Sequence, residues 1–273
     1  MPVDVEAAVL SNTRLSDDYS VIALAAPAIA ERAAPGQFVM VKPWRGTDPL
    51  LRRPFSIFEV VRDTDRLPLG ITLLNKKVGV GTRLLYQAEP GQTVACLGPL
   101  GRPFTLVDPP GEAWMVAGGV GLAPFATLAA ALRGLGTPST LFYGGRRHTD
   151  LFHLDLFERL GVRVVLATED GSRGHHGLVT GPLAADLDAR AGTGLVAIYA
   201  CGPTPMMRAV AELAAAHGRR AEVSLEQVMG CGMGGCYSCV VRTRRAGGPP
   251  HFVRSCLDGP VFDAADIVWE EIA

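Results

Sequence analysis

Two patterns of hydrophobic and polar residues divide the chain near residue 105. Before that point, short apolar and β-branched runs alternate with turn residues such as Gly, Pro and Asp. These runs predict strands at residues 3–10, 19–25, 37–41, 55–61, 70–76 and 93–97. Short strands at regular spacing with turn residues between them favour a small antiparallel β-barrel.

From about residue 112 the pattern changes, because buried strands now alternate with helical periodicity. Strands are predicted at residues 114–117, 140–143, 162–168, 195–200 and 222–225, and helices at residues 124–135, 151–160, 178–187 and 205–217. This alternation predicts an α/β domain with a parallel sheet of the nucleotide-binding kind. We therefore divide the chain into a barrel at residues 1–104, an α/β domain at residues 105–221 and a C-terminal segment at residues 222–273.

Composition narrows the possible functions. The 273 residues are 48% hydrophobic, which is enough apolar material for two folded cores. With 26 basic and 27 acidic residues, the net charge of -1 is unlike that of a nucleic-acid binder. The longest apolar run, residues 21–30, contains Pro27 and is too short to cross a membrane. Acids near the N-terminus do not match a secretory signal, so we expect a cytoplasmic protein.

Four cysteines near the C-terminus carry the strongest chemical signal. Cys231, Cys236, Cys239 and Cys256 have the spacing C-x4-C-x2-C-x16-C, which resembles that of the [2Fe-2S] ligands in plant-type ferredoxins. Three glycines between the first two cysteines allow the backbone to turn tightly and direct N–H groups toward sulfur. The alternative is a structural zinc site, although four-cysteine zinc ribbons usually have two C-x2-C pairs and this chain has one.

Two segments of the predicted barrel could hold a flavin nucleotide. In the first, Arg53 offers two parallel donors for a pyrophosphate and Ser56 offers a hydroxyl for a flat ring system. In the second, Gly79, Gly81 and Thr82 lie at a helix start, where free N–H groups favour phosphate. Taken alone, the first segment is also compatible with an ordinary turn before a strand. Together the two resemble the FAD site of the ferredoxin–NADP⁺ reductase superfamily.

Two further turns, each between a strand and a helix, indicate a pyridine nucleotide. The first contains Gly118, Gly119 and Gly121, and the second contains Cys201, Gly202 and Pro203. The first turn departs from the Rossmann pattern, and Cys201 by itself could be a small buried residue. In the same superfamily the second turn lies over the nicotinamide. We expect NAD, although the arginines at positions 146 and 147 could hold the 2′-phosphate of NADP or be merely solvated.

With barrel, nucleotide domain and cysteine segment in this order, the whole chain resembles the electron-transfer subunits of NAD-dependent dihydroorotate dehydrogenases. The resemblance implies that the four cysteines bind the cluster. It also implies FAD contacts at Arg53, Pro54, Phe55, Ser56, Leu74, Asn75, Lys76, Gly81 and Thr82. The chain departs from the family at Asn75 and Lys76, where an aromatic residue followed by arginine is frequent.

The resemblance further implies a partner and a direction of electron flow. In this family an FMN-containing catalytic subunit oxidises dihydroorotate in pyrimidine biosynthesis, and electrons pass through the cluster and FAD to NAD⁺. A hetero-oligomer, in the form of a heterotetramer, is therefore expected. Two alternatives stay open at this point. One keeps the cofactors but changes the partner, as in NADPH-dependent ferredoxin oxidoreductases or sulfhydrogenases, and the other is a zinc-stabilised nucleotide-binding module. Glu226, just before the cysteines, could support the flavin or face solvent.

Overall fold

A computed structural model describes residues 1–43, 46–190, 194–244 and 248–272 of the protein. The first part of the chain forms strands β1 (Val3–Arg14), β2 (Tyr19–Ala25), β3 (Phe38–Lys42), β4 (Arg53–Ser56), β5 (Glu59–Arg62), β6 (Pro68–Lys76) and β7 (Thr93–Leu100), with helices α1 (Pro27–Ala30) and α2 (Val80–Gln87). The strands form one antiparallel sheet in the order β4-β3-β7-β1-β2-β6-β5. The antiparallel architecture predicted for the first part of the chain is therefore confirmed.

This first sheet curls because its two edge strands are neighbours in sequence. Only Ile57 and Phe58 separate β4, which pairs with β3, from β5, which pairs with β6. The Ile57 N–H donates to the carbonyl of Gln37 at 3.0 Å, and the Phe58 N–H donates to that of Thr72 at 2.9 Å. The single strand predicted at residues 55–61 is therefore wrong. Both residues are fully buried, and the chain passes between them from one edge of the sheet to the other.

The second part of the chain forms a mostly parallel sheet with helices on both faces. Its strands are β8 (Glu112–Gly118), β9 (Ser139–Gly145), β10 (Arg163–Thr168), β11 (His175–His176), β12 (Val196–Cys201) and β13 (Arg220–Ser224). Its helices are α3 (Phe125–Leu135), α4 (Leu154–Arg159), α5 (Thr180–Ala189) and α6 (Thr204–Ala216). Alternate residues of β8 enter different cores, with Met115 on one face and Trp114 on the other. Burial on both faces explains the continuous apolar runs of these strands.

The order of the second sheet creates a crevice. The strand order is β11-β10-β9-β8-β12-β13. After β8 the chain continues to β9 on one side, and after β12 it continues to β13 on the opposite side, so the strand order reverses between β8 and β12. In open α/β sheets, ligands bind outside the carboxyl ends of the strands at such a reversal. The parallel nucleotide-binding architecture predicted from the sequence is confirmed.

The C-terminal segment joins the two sheets. It contains the hairpin β14 (Val240–Thr243) and β15 (His251–Arg254), the short helix α7 (Ser255–Asp258) and the strand β16 (Val261–Asp263). β16 pairs antiparallel with β13 and completes the second sheet, so β13 continues across our proposed division between residues 221 and 222. Within the described ranges, no helix has both the length and the apolar character needed to cross a membrane.

Candidate functional site

A cavity of about 460 Å³ opens where the two sheets and the C-terminal segment meet. This volume is within the usual range of small-molecule sites. Eight of the nine flavin contacts implied by the sequence line it, namely Arg53, Pro54, Phe55, Ser56, Leu74, Lys76, Gly81 and Thr82. The second sheet contributes Val120 and Ala123, and the segment after β13 contributes Glu226 and Met229. The fold thus brings four distant stretches of sequence to one wall.

Asn75 is the predicted flavin contact whose side chain does not line this cavity. It is fully buried, and its Nδ2 donates to the carbonyl of Thr82 at 3.0 Å and lies 3.4 Å from Ser20 Oγ. Side chains alternate along a strand, so Leu74 and Lys76 of β6 face the cavity while Asn75 faces the opposite side. Its amide therefore ties β6 to α2, and a direct flavin contact stays a prediction.

The turn before α2 is shaped by the hydroxyl of Thr82. Thr82 Oγ1 accepts the N–H groups of Val78 and Gly79, both at 2.9 Å, and donates to the Gly79 carbonyl at 3.1 Å. The hydroxyl therefore shapes the turn. A Cβ at Gly81 would lie 3.5 Å from Arg53 Cγ, so this arginine packs directly beside the turn. The first N–H groups of a helix have no partner within it, and with the guanidinium they favour a pyrophosphate.

Glu226 lies in the cavity wall, near the charge of Lys76 and the thiol of Cys201. The Glu226 side chain is exposed to the cavity. The surrounding protein nevertheless excludes enough water to raise the pKa of its carboxyl, whereas the positive charge of Lys76 lowers it. Cys201 Sγ is 4.0 Å from Glu226 Oε1. Burial, and then the Glu226 charge, raise the pKa of the Cys201 thiol well above its ordinary value. Cys201 is thus a neutral thiol at physiological pH. The Glu226 side chain, for which the sequence left two interpretations open, lines the cavity.

The two predicted nucleotide turns touch each other at the carboxyl ends of β8 and β12. A Cβ at Gly121 would lie 2.1 Å from the carbonyl oxygen of Cys201, and one at Gly118 would lie 2.8 Å from Pro203 Cδ. Gly202 has a φ of +145°. Such contact between two backbones is possible only without side chains. All of these residues lie at one edge of the sheet, next to the cavity.

Gly119 in the first turn and two arginines after β9 are less closely packed. Gly119 has a φ of +56°, and its missing Cβ would meet no atom within 4 Å. Arg146 and Arg147 follow β9 at the same edge and are exposed. Arg146 Nε lies 3.4 Å from Asp150 Oδ2, so a neighbouring carboxylate partly neutralises this arginine.

The four cysteines form two pairs. Cys236 interacts with the Cys231 side chain, and Cys256 interacts with the Cys239 side chain. Among the described residues, no three Cys, His, Asp or Glu side chains gather closely enough to hold a single metal ion. A [2Fe-2S] cluster needs two thiolates on each iron, whereas structural zinc needs four ligands around one ion. The donor set therefore fits the cluster better than zinc.

The backbone around the first pair has the tight curvature that the glycines predicted. Gly232 and Gly234 have φ values of +73° and +80°. A Cβ at Gly232 would lie 2.4 Å from Met40 Cγ, so the loop packs closely on the first sheet. The Met233 N–H donates to Cys231 Sγ at 3.3 Å. Hydrogen bonds from Ser238 lower the pKa of Cys236 to about 6, which favours a thiolate.

The cavity and the cysteine segment share a wall. Phe38 and Met229 line the cavity, and both also pack with Cys239 and Cys256 in one buried apolar group. These two cysteines are only 2% and 1% exposed, whereas Cys236 is exposed on the outer side. The sequence analysis did not identify Phe38 or Met229, because an apolar residue outside a motif carries no local sign of a shared wall.

The chain matches known proteins over most of its length. Residues 226–268 match the iron-sulfur cluster binding domain of dihydroorotate dehydrogenase B, and residues 115–212 match the oxidoreductase NAD-binding domain. The electron transfer subunit of dihydroorotate dehydrogenase B (NAD(+)) from Desulforamulus reducens is 40% identical over 246 residues, 90% of either chain. Its counterpart from Geobacillus thermodenitrificans is 36% identical and covers 95% of this chain and 96% of its own length.

A solved structure has the same fold. A chain of the NADH-dependent reduced ferredoxin-NADP oxidoreductase superposes with a TM-score of 0.83 at 27% identity. The superposition covers 98% of this chain and 91% of the other. The arrangement of a curled sheet, a nucleotide-binding sheet and a C-terminal segment is therefore shared with an oxidoreductase.

Proposed function

The chain belongs to the family of electron transfer subunits of dihydroorotate dehydrogenase B, and from that membership we propose that it moves electrons between a catalytic subunit and NAD⁺. The resemblance seen in the sequence is confirmed. The cofactors are FAD and one [2Fe-2S] cluster, with NAD as substrate. Bound flavin exchanges electrons in pairs with nicotinamide and singly with the cluster, so it belongs between them.

One observation carries this proposal, namely the wall shared by the cavity and the cysteine segment. Phe38 and Met229 contact both, so a flavin in the cavity and a cluster on the cysteines would be separated by one layer of apolar side chains. The first nucleotide turn also lines the cavity, through Val120 and the following Ala123. The protein thus supplies three adjoining sites in the order in which electrons must pass.

In this proposal each group of residues has a separate task. Arg53 and the start of α2 hold the FAD pyrophosphate, and Ser56, Lys76 and Glu226 face the ring system. The turns at Gly118, Gly119, Gly121 and at Cys201, Gly202, Pro203 hold NAD. Cys231, Cys236, Cys239 and Cys256 bind the cluster. The domain divisions expected from the sequence, at residues 1–104, 105–221 and 222–273, stay a proposal, since β13 crosses the last of them and Glu226 of the third segment faces the flavin cavity.

The partner is an FMN-containing catalytic subunit that oxidises dihydroorotate in a hetero-oligomer. Close to the exposed cysteine in the same loop, two large side chains are exposed, Met233 at 60% and Tyr237 at 61%. Large apolar and aromatic side chains of this kind are enriched at protein interfaces. A partner on this surface would approach the cluster closely. A cytoplasmic location, where thiols stay reduced, is part of the proposal.

The partition of activity between the subunits tests this function. The isolated chain should oxidise NADH with an artificial acceptor such as ferricyanide, but should not oxidise dihydroorotate. Mixing with the catalytic subunit should restore dihydroorotate-dependent NAD⁺ reduction. Met233→Glu should slow only the restored reaction, at least about tenfold, because it places a charge in an apolar contact.

Leu67→Glu is the matched control, because Leu67 is 62% exposed on a remote turn. It should leave both reactions unchanged. Dihydroorotate oxidation by the isolated chain would contradict the subunit assignment. An equal loss of the restored reaction in Met233→Glu and Leu67→Glu would contradict the docking surface.

We also expect NADH to be the preferred nucleotide. Asp150 already pairs with Arg146, and this carboxylate would repel a 2′-phosphate. Arg146→Ala and Arg147→Ala should therefore change kcat/KM for NADH less than about threefold, equal to less than about 0.7 kcal/mol. Steady-state kinetics with both nucleotides measure this. A clear NADPH preference that either substitution abolishes would reverse the assignment.

A further inference from the structure

The hydroxyl of Ser238 lies between a backbone N–H and a proposed cluster ligand. Ser238 Oγ is 2.8 Å from the nitrogen of Gly230 and 3.2 Å from Cys236 Sγ. The Gly230 N–H can only donate, so the hydroxyl accepts from it and keeps its own proton for a second partner. An iron-bound cysteine is a thiolate and can only accept. The direction of the second bond is therefore set, with Ser238 donating to Cys236.

The local backbone is shaped for this contact. Tyr237 has a φ of +58°, which is uncommon for a residue with a side chain and turns Ser238 back toward Cys236. Opposite them, a Cβ at Gly230 would lie 3.1 Å from Cys236 Sγ and 3.3 Å from Ser238 Oγ. A larger residue at position 230 would therefore crowd both groups. The contact between Ser238 and Cys236 thus depends on the Gly230 N–H, on the backbone conformation of Tyr237 and on the absence of a side chain at Gly230.

We propose that Ser238 is a positioning residue that orients the Cys236 thiolate and raises the reduction potential of the cluster. Reduction adds negative charge to the cluster and its sulfur ligands, and a hydrogen-bond donor stabilises the more negative state. The other cysteine pair packs among apolar side chains, including Met40 and Leu100. The Ser238 hydroxyl thus acts on the exposed pair, which faces the proposed partner. This inference rests on the proposed cluster.

Redox titration of the holoprotein, followed by electron paramagnetic resonance, tests the inference. Ser238→Ala should keep its iron but shift the midpoint potential to a more negative value. The expected change is up to about tenfold in the reduction equilibrium, which is 59 mV for one electron. In D₂O, the deuteron coupling from the hydroxyl should disappear in this variant. Ser238→Thr keeps a hydroxyl and should retain both the midpoint and the coupling.

Ser172→Ala is the matched control. The Ser172 hydroxyl also accepts a backbone N–H, from His148 at 2.8 Å, but it lies in the nucleotide domain. This variant should have the wild-type midpoint. If Ser238→Ala fails to assemble a cluster, Ser238→Gly also removes the hydroxyl and should show the same shift.

Failure of the proposed function and failure of this inference give different results. Wild-type protein without iron would overturn the proposed function and this inference with it. An iron-containing Ser238→Ala variant with unchanged midpoint and deuteron coupling would overturn the inference alone. A shift of equal size in Ser172→Ala would also overturn it, because the effect would then not come from the sulfur contact.

Discussion

Cys236→Ser is expected to remove the iron–sulfur cluster and to lower electron transfer between the catalytic subunit and NAD⁺ by at least about 100-fold, roughly 2.7 kcal/mol in the barrier. A serine hydroxyl does not ionise as a thiol does, so one iron would lose a ligand. The surrounding loop is rich in glycine, which leaves its backbone many conformations when no ligand fixes it, so ligation and local folding are coupled. Iron, acid-labile sulfide and visible absorption measure the loss.

The flavin and nucleotide sites should survive this substitution. Cys236 does not line the cavity, and its side chain is exposed on the outer surface. FAD content and NADH oxidation with ferricyanide should therefore stay near wild type. Cys96→Ala is the control, because Cys96 is a fully buried thiol in β7 outside the four-cysteine spacing. It should keep its iron. Stoichiometric zinc without iron in the wild-type protein, or full iron in Cys236→Ser, would contradict the cluster assignment.

Gly121→Ala should disable the nucleotide site. The added Cβ would lie 2.1 Å from the Cys201 carbonyl oxygen and 2.7 Å from Gly202 Cα, so the two turns must separate. Backbone atoms cannot move aside as the end of a flexible side chain can. We expect kcat/KM for NADH to fall at least about 100-fold, about 2.7 kcal/mol, while FAD remains bound. Stopped-flow reduction of the flavin by NADH measures the effect directly.

Gly134→Ala is the matched glycine control for this experiment. Gly134 lies in α3, and a Cβ there would meet no atom within 4 Å. Alanine favours a helix over glycine by about 0.5–1 kcal/mol, so this variant should be as stable as wild type or more so. Its NADH kinetics should not change. If Gly121→Ala behaved in the same way, the close contact between the two turns would not be required for nucleotide binding.

Local sequence patterns were sufficient to predict the fold class and the family. Strand and helix periods are local properties, and they identified the change from antiparallel to parallel architecture near residue 105. The spacing from Cys231 to Cys239 is likewise local, since three ligands of one cluster on a short loop must follow its geometry. Glycine positions such as Gly121 and Gly232 were visible for the same reason, because tight turns and close backbone contacts exclude side chains.

The neighbours of these motifs depend on the packing of the two sheets and could not be predicted from the sequence. Because side chains alternate along β6, Asn75 points away from the cavity. The Thr82 hydroxyl forms hydrogen bonds within the turn before α2. Glu226 became part of the cavity wall, which the sequence had left open. Phe38 and Met229 joined the cavity to the cysteine segment, although they are 191 positions apart in the chain. Contacts between distant segments depend on how the two sheets pack, and that packing leaves no periodic or spacing signal in the sequence.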